Sequence, residues 1–309
     1  MELIKVNKNN IIVQFLLNYV SDNTRLAYKR DICDFFSFLH TQQIEIQHPK
    51  DISLEHLIVY REYLGKIKKL TSNTIHRKIM SIKSLFNWCA SQGIITHNPV
   101  SALQLPKASP EKPTQALADE EALALLKAPD PSTFYGNLHQ ITLSFLLLLG
   151  LRRSELANIQ IKDIYHDRGH LVLRIRGKGG KTRELPLTDS MRLQIMKYKT
   201  NYTKLTGFEL FPEDYLLQSK ACIKNKTPIT GEAINKTVKK YSKKLNINKD
   251  ISAHSCRATV ISSLLEKNES PRNVADFAGH SSINTTVTIY DKKRDNLDNS
   301  SAYKVNYKN

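Results

Sequence analysis

The sequence predicts a mainly α-helical protein of two domains, the second of which carries one small antiparallel sheet. Three observations point there. The first hundred residues set apolar side chains at helical spacing in long segments. A stretch with four prolines follows, residues 98–115. Beyond it, one segment alternates residue by residue between turns rich in glycine.

In SDNTRLAYKRDICDFFSFLH, the residues Tyr28, Ile32, Phe35, Phe36 and Leu39 recur on one helical face, and Asn23 or Thr24 is placed to cap the start. Arg25, Lys29 and Arg30 lie in its opening turns. In TSNTIHRKIMSIKSLFNWCASQG, a second stripe runs through Ile75, Ile79, Ile82, Phe86 and Cys89, and Gly93 can end the helix in the left-handed conformation. Arg77, Lys78 and Lys83 lie off that stripe. These six basic residues suit a phosphate-gripping surface, and a solvated helix face explains them equally well. NPVSALQLPKASPEKPTQ cannot sustain a helix, because proline donates no backbone hydrogen bond. It reads as an interdomain linker over 109–115, dividing a first domain, 1–108, from a second, 116–309. The second opens with the helical ADEEALALLKA. An apolar helix over 138–149 comes next, stopped by Gly150, and then SELANI as a short helix starting at Ser154. IYHDRGHLVLRIRGKGGKTRELPL reads as small antiparallel strands turning at Asp167-Arg168-Gly169 and at residues 177–180, with Lys178 on the second turn. Helices are expected over 188–205, 230–245 and 256–267. HSCR sets His254 and Arg257 one helical turn apart, whereas the Ser/Thr-rich stretch after His280 could be a turn and cap.

Composition narrows the function. Forty-six Lys and Arg against 29 Asp and Glu leave a net charge of +17, which implies a polyanionic partner, most often nucleic acid. The first 110 residues carry 14 basic against 8 acidic side chains, so both halves are basic and both could touch one long polyanion. Cys33, Cys89, Cys222 and Cys256 are far apart and form no C-x-x-C pair, which speaks against zinc and against a disulfide scaffold, and for a reduced cytoplasmic setting. Gln14 and Asn18 interrupt the apolar N-terminal stretch, so no signal peptide is expected. The apolar run at 141–151 is too short to span a bilayer, and no membrane partner is expected.

Singly, the chemical motifs say little. An H-x-x-R arises about half a time by chance in a chain of this composition, and a lysine on a glycine turn is more often a solvated hairpin. Their order says more. GLRRSEL, GKGGKTRELPL, HSCR and GHSSINTTVTIY, in that sequence, resemble the catalytic set of the tyrosine recombinases, the phage-integrase family, and specifically Xer-like site-specific recombinases. NTRLAYKRDICDFFSFL and NTIHRKIMSIKSLFNWCASQGIITHNPV resemble that family's helical core-binding domain.

The resemblance implies a SAM-like helical N-terminal domain followed by the tyrosine-recombinase catalytic fold. It implies Arg152 and Arg257 as phosphate-binding arginines, Lys178 as the lysine of the strand hairpin, His254 and His280 as the two histidines, and Tyr290 as the nucleophile. Glu155 matches a structural acid. The chain departs from the usual pattern in three places: Tyr290 stands ten positions after His280 rather than nine, Arg153 stands where an aliphatic residue is usual, and Ala258 where histidine is frequent.

The residue types suit phosphoryl transfer. Guanidiniums hold the phosphoryl oxygens through bidentate bonds and favour the charge that gathers on them in the transition state. Tyr290 would attack phosphorus to give a 3′-phosphotyrosine and a free 5′-hydroxyl, with His254 as base, Lys178 as acid to the leaving oxygen and His280 bonded to a phosphate oxygen. No metal and no cofactor is expected. The expected partners are double-stranded DNA bearing a specific site and a homotetramer that resolves a Holliday junction, with exchange of the C-terminal tail between subunits. A paralogous recombinase is an alternative partner. A type IB topoisomerase-like nicking and resealing enzyme, or a DNA-binding accessory factor with a degenerate site, would share many of these features.

Overall fold

A computed structural model gives the chain as two compact units, residues 1–111 and 112–309. The structure describes residues 11–107, 114–177, 180–280 and 282–291. The expected linker therefore lies largely outside the described residues.

The first unit is helical: α1 (Ile11–Leu17), α2 (Asp22–Thr41), α3 (Leu54–Glu62), a single π turn over Tyr63–Ile67, and α4 (Ser72–Ser91). Helix α2 begins earlier than expected. Ser21, extended at φ −81° and ψ 119°, caps it by accepting the Thr24 N–H, so Asn23 and Thr24 lie inside the helix. Ile32, Phe35 and Leu39 of α2 meet Ile75, Ile79, Ile82, Phe86 and Cys89 of α4 in one buried core. Tyr28 and Phe36 only flank this core, and Phe38 is buried instead. The reason is a second neighbour: α2 packs on α3 as well as α4, and Phe38 faces the rings of Tyr60 and Tyr63 at 5.1 and 4.7 Å. Gly93 adopts φ +69° just past α4, as its lack of a Cβ allows.

A buried acid engages two of the six basic residues singled out in sequence, of which Arg77 still keeps 47% of its side chain exposed. Asp31 is fully buried, and Arg77 grips both of its carboxylate oxygens, while Lys78 Nζ (3.3 Å) and Ser81 Oγ (2.8 Å) also donate to it. Lys78 further pairs with Asp34 at 2.6 Å, which leaves its side chain 12% exposed. Arg77 and Lys78 thus neutralise a core carboxylate, because a buried charge must be paired. Burial opposes ionisation of Asp31, but these bonds and charges outweigh it and hold its carboxyl below the ordinary value. Lys29 and Arg30 are exposed, Lys83 is half-buried, and Arg25 bonds the Tyr19 carbonyl and Asp22.

The second unit contains α5 (Asp119–Lys127), α6 (Phe134–Leu149), α7 (Arg153–Ala157), strands β1 (Ile164–Asp167), β2 (His170–Arg176) and β3 (Thr182–Pro186), then α8 (Asp189–Thr206), α9 (Lys220–Asn225), α10 (Gly231–Lys244), α11 (Ala253–Glu266), α12 (Pro271–Ala278) and α13 (Ile283–Asp291). Helix α6 is buried nearly all round, with Leu143, Phe145 and Leu146 fully sequestered at the centre of the core. The sheet is antiparallel in the order β1-β2-β3. Arg168 and Gly169, at φ +46° and +81°, form the two-residue turn between β1 and β2 whose twist suits a hairpin. Between β2 and β3 the Gly177 N–H donates to the Lys181 carbonyl at 2.7 Å. Lys178, expected on that turn, lies outside the described residues.

Three helix starts in this unit differ from expectation. Helix α6 starts at Phe134 rather than residue 138, because Thr133 caps it by accepting the Gly136 N–H at 3.0 Å. Helix α7 starts at Arg153 rather than Ser154, because the Glu155 carboxylate turns back to accept the Arg152 backbone N–H at 2.8 Å. Helix α11 starts at Ala253 rather than residue 256, because Ser252 caps it. Helices α3, α9, α12 and α13 are too short to show a convincing period in sequence. Among the described residues no helix is long and apolar enough to cross a membrane.

Candidate active site

The site grows from two helix ends. Helices α6 and α12 both stop at a glycine in the left-handed conformation, Gly150 at φ +58° and Gly279 at φ +65°. The last carbonyls of a helix lack intrahelical partners and carry the negative end of its dipole. Here they turn toward guanidiniums. Arg257 donates to Gly150 O at 2.7 Å and to Ala278 O at 2.6 Å. Arg152 donates to Gly279 O at 2.8 Å. Arg257 thus bridges the ends of α6 and α12, and Arg152, 105 positions earlier in sequence, is held on the end of α12.

A carboxylate completes the frame. Glu155 is 5% exposed and accepts from the Arg152 backbone, from Arg152 Nη1 at 2.7 Å, and from both terminal nitrogens of Arg183 at 2.9 and 3.0 Å. Burial opposes its charge, yet the Arg183 bonds and those from Arg152 prevail and hold its carboxyl below the usual range. Arg183, on β3, also donates to the Phe277 carbonyl at 3.1 Å. Sequence reasoning passed over Arg183. Its signal is faint: it lies in KTREL beside the glycine turn, and only the fold brings it to Glu155, 28 positions away.

The electrostatic result is a concentrated positive field facing one acid. Arg257 is 2% exposed, and its pKa is lowered to about 10, first by burial and then by Arg152. It remains charged at neutral pH. Arg152 keeps 40% of its side chain exposed. His280 follows Gly279 directly, and its pKa is lowered to about 4 by burial, then by Arg257, Arg152, Arg183 and His254. It is therefore neutral at physiological pH. Its Nδ1 lies 2.7 Å from the Thr286 hydroxyl on α13.

Arg152, Arg257 and the exposed His254 line an open cleft of about 460 Å3 with Leu151, Arg153, Ser154, Asn235, Ser252 and Ala253. Arg153, singled out in sequence as unusual, is at this cleft, its stem lying over Gly231 at the start of α10. A Cβ on Gly231 would stand 3.2 Å from Arg153 Cδ. The structure thus gathers Arg152, Glu155, His254, Arg257 and His280, and adds Arg183. Tyr290 lies on the backbone of α13. Among the described residues no three His, Cys, Asp or Glu gather to hold a metal ion. Such a cleft can bind an oxyanion and favour further negative charge on it, because the guanidiniums are already oriented.

Residues 115–296 match the phage integrase family, and residues 13–95 match the N-terminal SAM-like domain of phage integrases. The chain is 34% identical over 268 residues to a tyrosine recombinase of Pseudothermotoga lettingae, covering 86% of each protein. It is 27% identical over 285 residues to tyrosine recombinase XerD of Staphylococcus epidermidis, covering 90% of this chain and 92% of that one. In fold it is similar to XerH recombinase bound to palindromic difH substrate, with a TM-score of 0.69 at 17% identity over 91% of this chain and 80% of that one. A lambda integrase dimer bound to a COC′ core site also gives a TM-score of 0.69, at 16% identity, over 94% and 97% of the two chains.

Proposed function

This chain belongs to the phage integrase family, and from that premise we propose that it is a site-specific DNA recombinase that cleaves and rejoins strands through a 3′-phosphotyrosine at Tyr290. The observation that carries the reading is the oxyanion frame: Arg257 held on the ends of α6 and α12 and Arg152 on the end of α12, with His254 at the cleft and His280 beside the guanidiniums.

In this reading the scissile phosphate enters the cleft, and Arg152 and Arg257 take its non-bridging oxygens. Because both are held before substrate arrives, the growing charge on the phosphoryl group meets donors that need no reorganisation. His254 accepts the Tyr290 phenol proton as oxygen attacks phosphorus. The bond to the 5′-oxygen breaks, and Lys178 protonates that oxygen. Resealing runs the steps in reverse from another strand's 5′-hydroxyl, so the bond energy is conserved and no nucleotide is consumed. Residues 1–108 would form the core-binding domain, 109–115 the linker and 116–309 the catalytic domain. Lys29 and Arg30 are the best-placed phosphate contacts of the first unit, since both are exposed. Arg153 would take a phosphate beside the scissile one. Two such subunits on each of two DNA sites would give a tetramer that passes through a Holliday junction.

A nicked suicide substrate tests this. The protein should become covalently attached to DNA in EDTA, and Tyr290→Phe should abolish attachment. Attachment through another tyrosine, or a requirement for Mg²⁺, overturns the mechanism. Lys178→Ala should lose cleavage of ordinary DNA and regain it on a 5′-bridging phosphorothiolate, whose thiolate leaves without a proton.

A further inference from the structure

His280 owes its ring orientation to a residue that the reaction scheme does not use. Gly279 in its left-handed conformation ends α12, and the His280 backbone N–H closes that end on the Ala275 carbonyl at 2.9 Å. The backbone is thus set. The ring is set by Thr286 on α13, whose hydroxyl oxygen lies 2.7 Å from Nδ1. Thr286 is fully buried, so its hydroxyl has no access to solvent. Among the described residues that hydroxyl has no second hydrogen-bond partner.

Counting protons decides the direction of the bond. A threonine hydroxyl carries one hydrogen, and a neutral imidazole carries one hydrogen on one of two nitrogens. If Nδ1 held the imidazole proton and donated it, the threonine hydrogen would be buried with nothing among the described residues to receive it. Buried donors without acceptors are strongly disfavoured. The hydroxyl therefore donates to a bare Nδ1, which leaves the ring proton on Nε2. That the cluster of arginines and burial keep His280 neutral agrees with this arrangement.

We infer that Thr286 is a positioning residue whose buried hydroxyl locks His280 in the Nε2–H tautomer, so that His280 presents a hydrogen-bond donor to a phosphate oxygen. The role in catalysis rests on the recombinase reading above; the tautomer does not. The same bond also ties α13, whose backbone carries Tyr290 one turn beyond Thr286, to the residue that follows α12.

Nitrogen-15 NMR of histidine-labelled full-length protein at neutral pH tests the tautomer, with the His280 signals identified by their loss in His280→Gln. The wild type and Thr286→Ser should show His280 as Nε2–H. Thr286→Val, equal in size but without the hydroxyl, should shift it toward Nδ1–H. In single-turnover attachment to the suicide substrate, Thr286→Val should fall about tenfold or more, as for loss of an oriented transition-state donor, and Thr286→Ser should recover most of the rate. A wild-type His280 protonated on Nδ1 overturns the inference. So does a Thr286→Val protein whose tautomer is unchanged, whatever its rate. If the tautomer responds as expected while the wild type forms no DNA adduct, the inference about Thr286 stands and the recombinase reading fails.

Discussion

At the scale of the residue, the site spends most of its hydrogen bonds on placing guanidiniums. Arg257 bridges Gly150 O and Ala278 O, carbonyls that belong to two different helices. Lysine lacks the planar two-nitrogen fork by which Arg257 meets one carbonyl with each nitrogen. Arg257→Lys should therefore lower the rate of covalent attachment by about 10²-fold or more, the cost of losing one preorganised donor to the transition state, while DNA affinity measured by gel shift changes little. Acid should weaken the fold in two stages, by the same linkage at two pH ranges. His280 and His139 are held near pKa 4 in the fold, each chiefly by burial, against an ordinary 6.5. The unfolded chain gains their protons first, so stability falls as pH drops from 6.5 toward 4. Asp31 and Glu155 sit below their ordinary values of 3.8 and 4.5, so their contribution is present above those values and is lost as pH falls through the lower, folded ones. Urea denaturation from pH 7 to 3 should show a shallow loss and then a steep one, and His139→Gln should reduce the shallow slope.

At the scale of the element, two junctions carry the argument. The first is the end of α12. A Cβ on Gly279 would lie 2.6 Å from Arg183 Nη1, and the residue sits at φ +65°. Arg183 cannot swing away without abandoning Glu155. Gly279→Ala should cost about 1–2 kcal/mol for the left-handed backbone plus the disturbed ion pair. In an Arg183→Ala background, only the backbone share should remain, and a double-mutant cycle by urea denaturation measures the difference. The second junction joins α2 to α4 through Asp31. Replacing it by Asn leaves Arg77 and Lys78 facing a neutral group, and loss of one partner of a buried pair costs about 3 kcal/mol. Asp31→Asn should lower the urea midpoint by a matching amount, while Asp34→Asn, at an exposed acid, should barely move it. The helices themselves were largely legible, because a stripe such as Ile75, Ile79, Ile82 and Phe86 is a local repeat. The pairing of Asp31 with Arg77 was not, because 46 residues separate them and nothing in either segment marks the partner.

At the scale of the whole molecule, the charge of +17 remains the broadest statement about function. If exposed cations in both units meet a DNA backbone, binding should weaken by about 10³-fold or more between 50 and 200 mM salt, as counterions released from six or more phosphates would require. Filter binding across that range checks it, and a flat profile contradicts a basic clamp. Whether Tyr290 serves its own subunit or a neighbour is a question for the assembly: a mixture of Tyr290→Phe and Arg257→Ala proteins regains cleavage only if the tyrosine acts in trans. The amino-acid order was enough to establish a two-part, mainly helical chain and a strongly basic one, and to offer the ordered set Arg152, Lys178, His254, Arg257, His280 and Tyr290 as candidates. Periodicity, net charge and motif order are properties of the chain read locally or summed. Tertiary structure alone decided which charges pair with one another within the fold. It turned Arg77 and Lys78 onto Asp31, brought Arg183 to Glu155, and set Thr286 against His280. Those pairings depend on distance in space, and residues that share no local pattern become neighbours only when the helix ends and strands that carry them have packed.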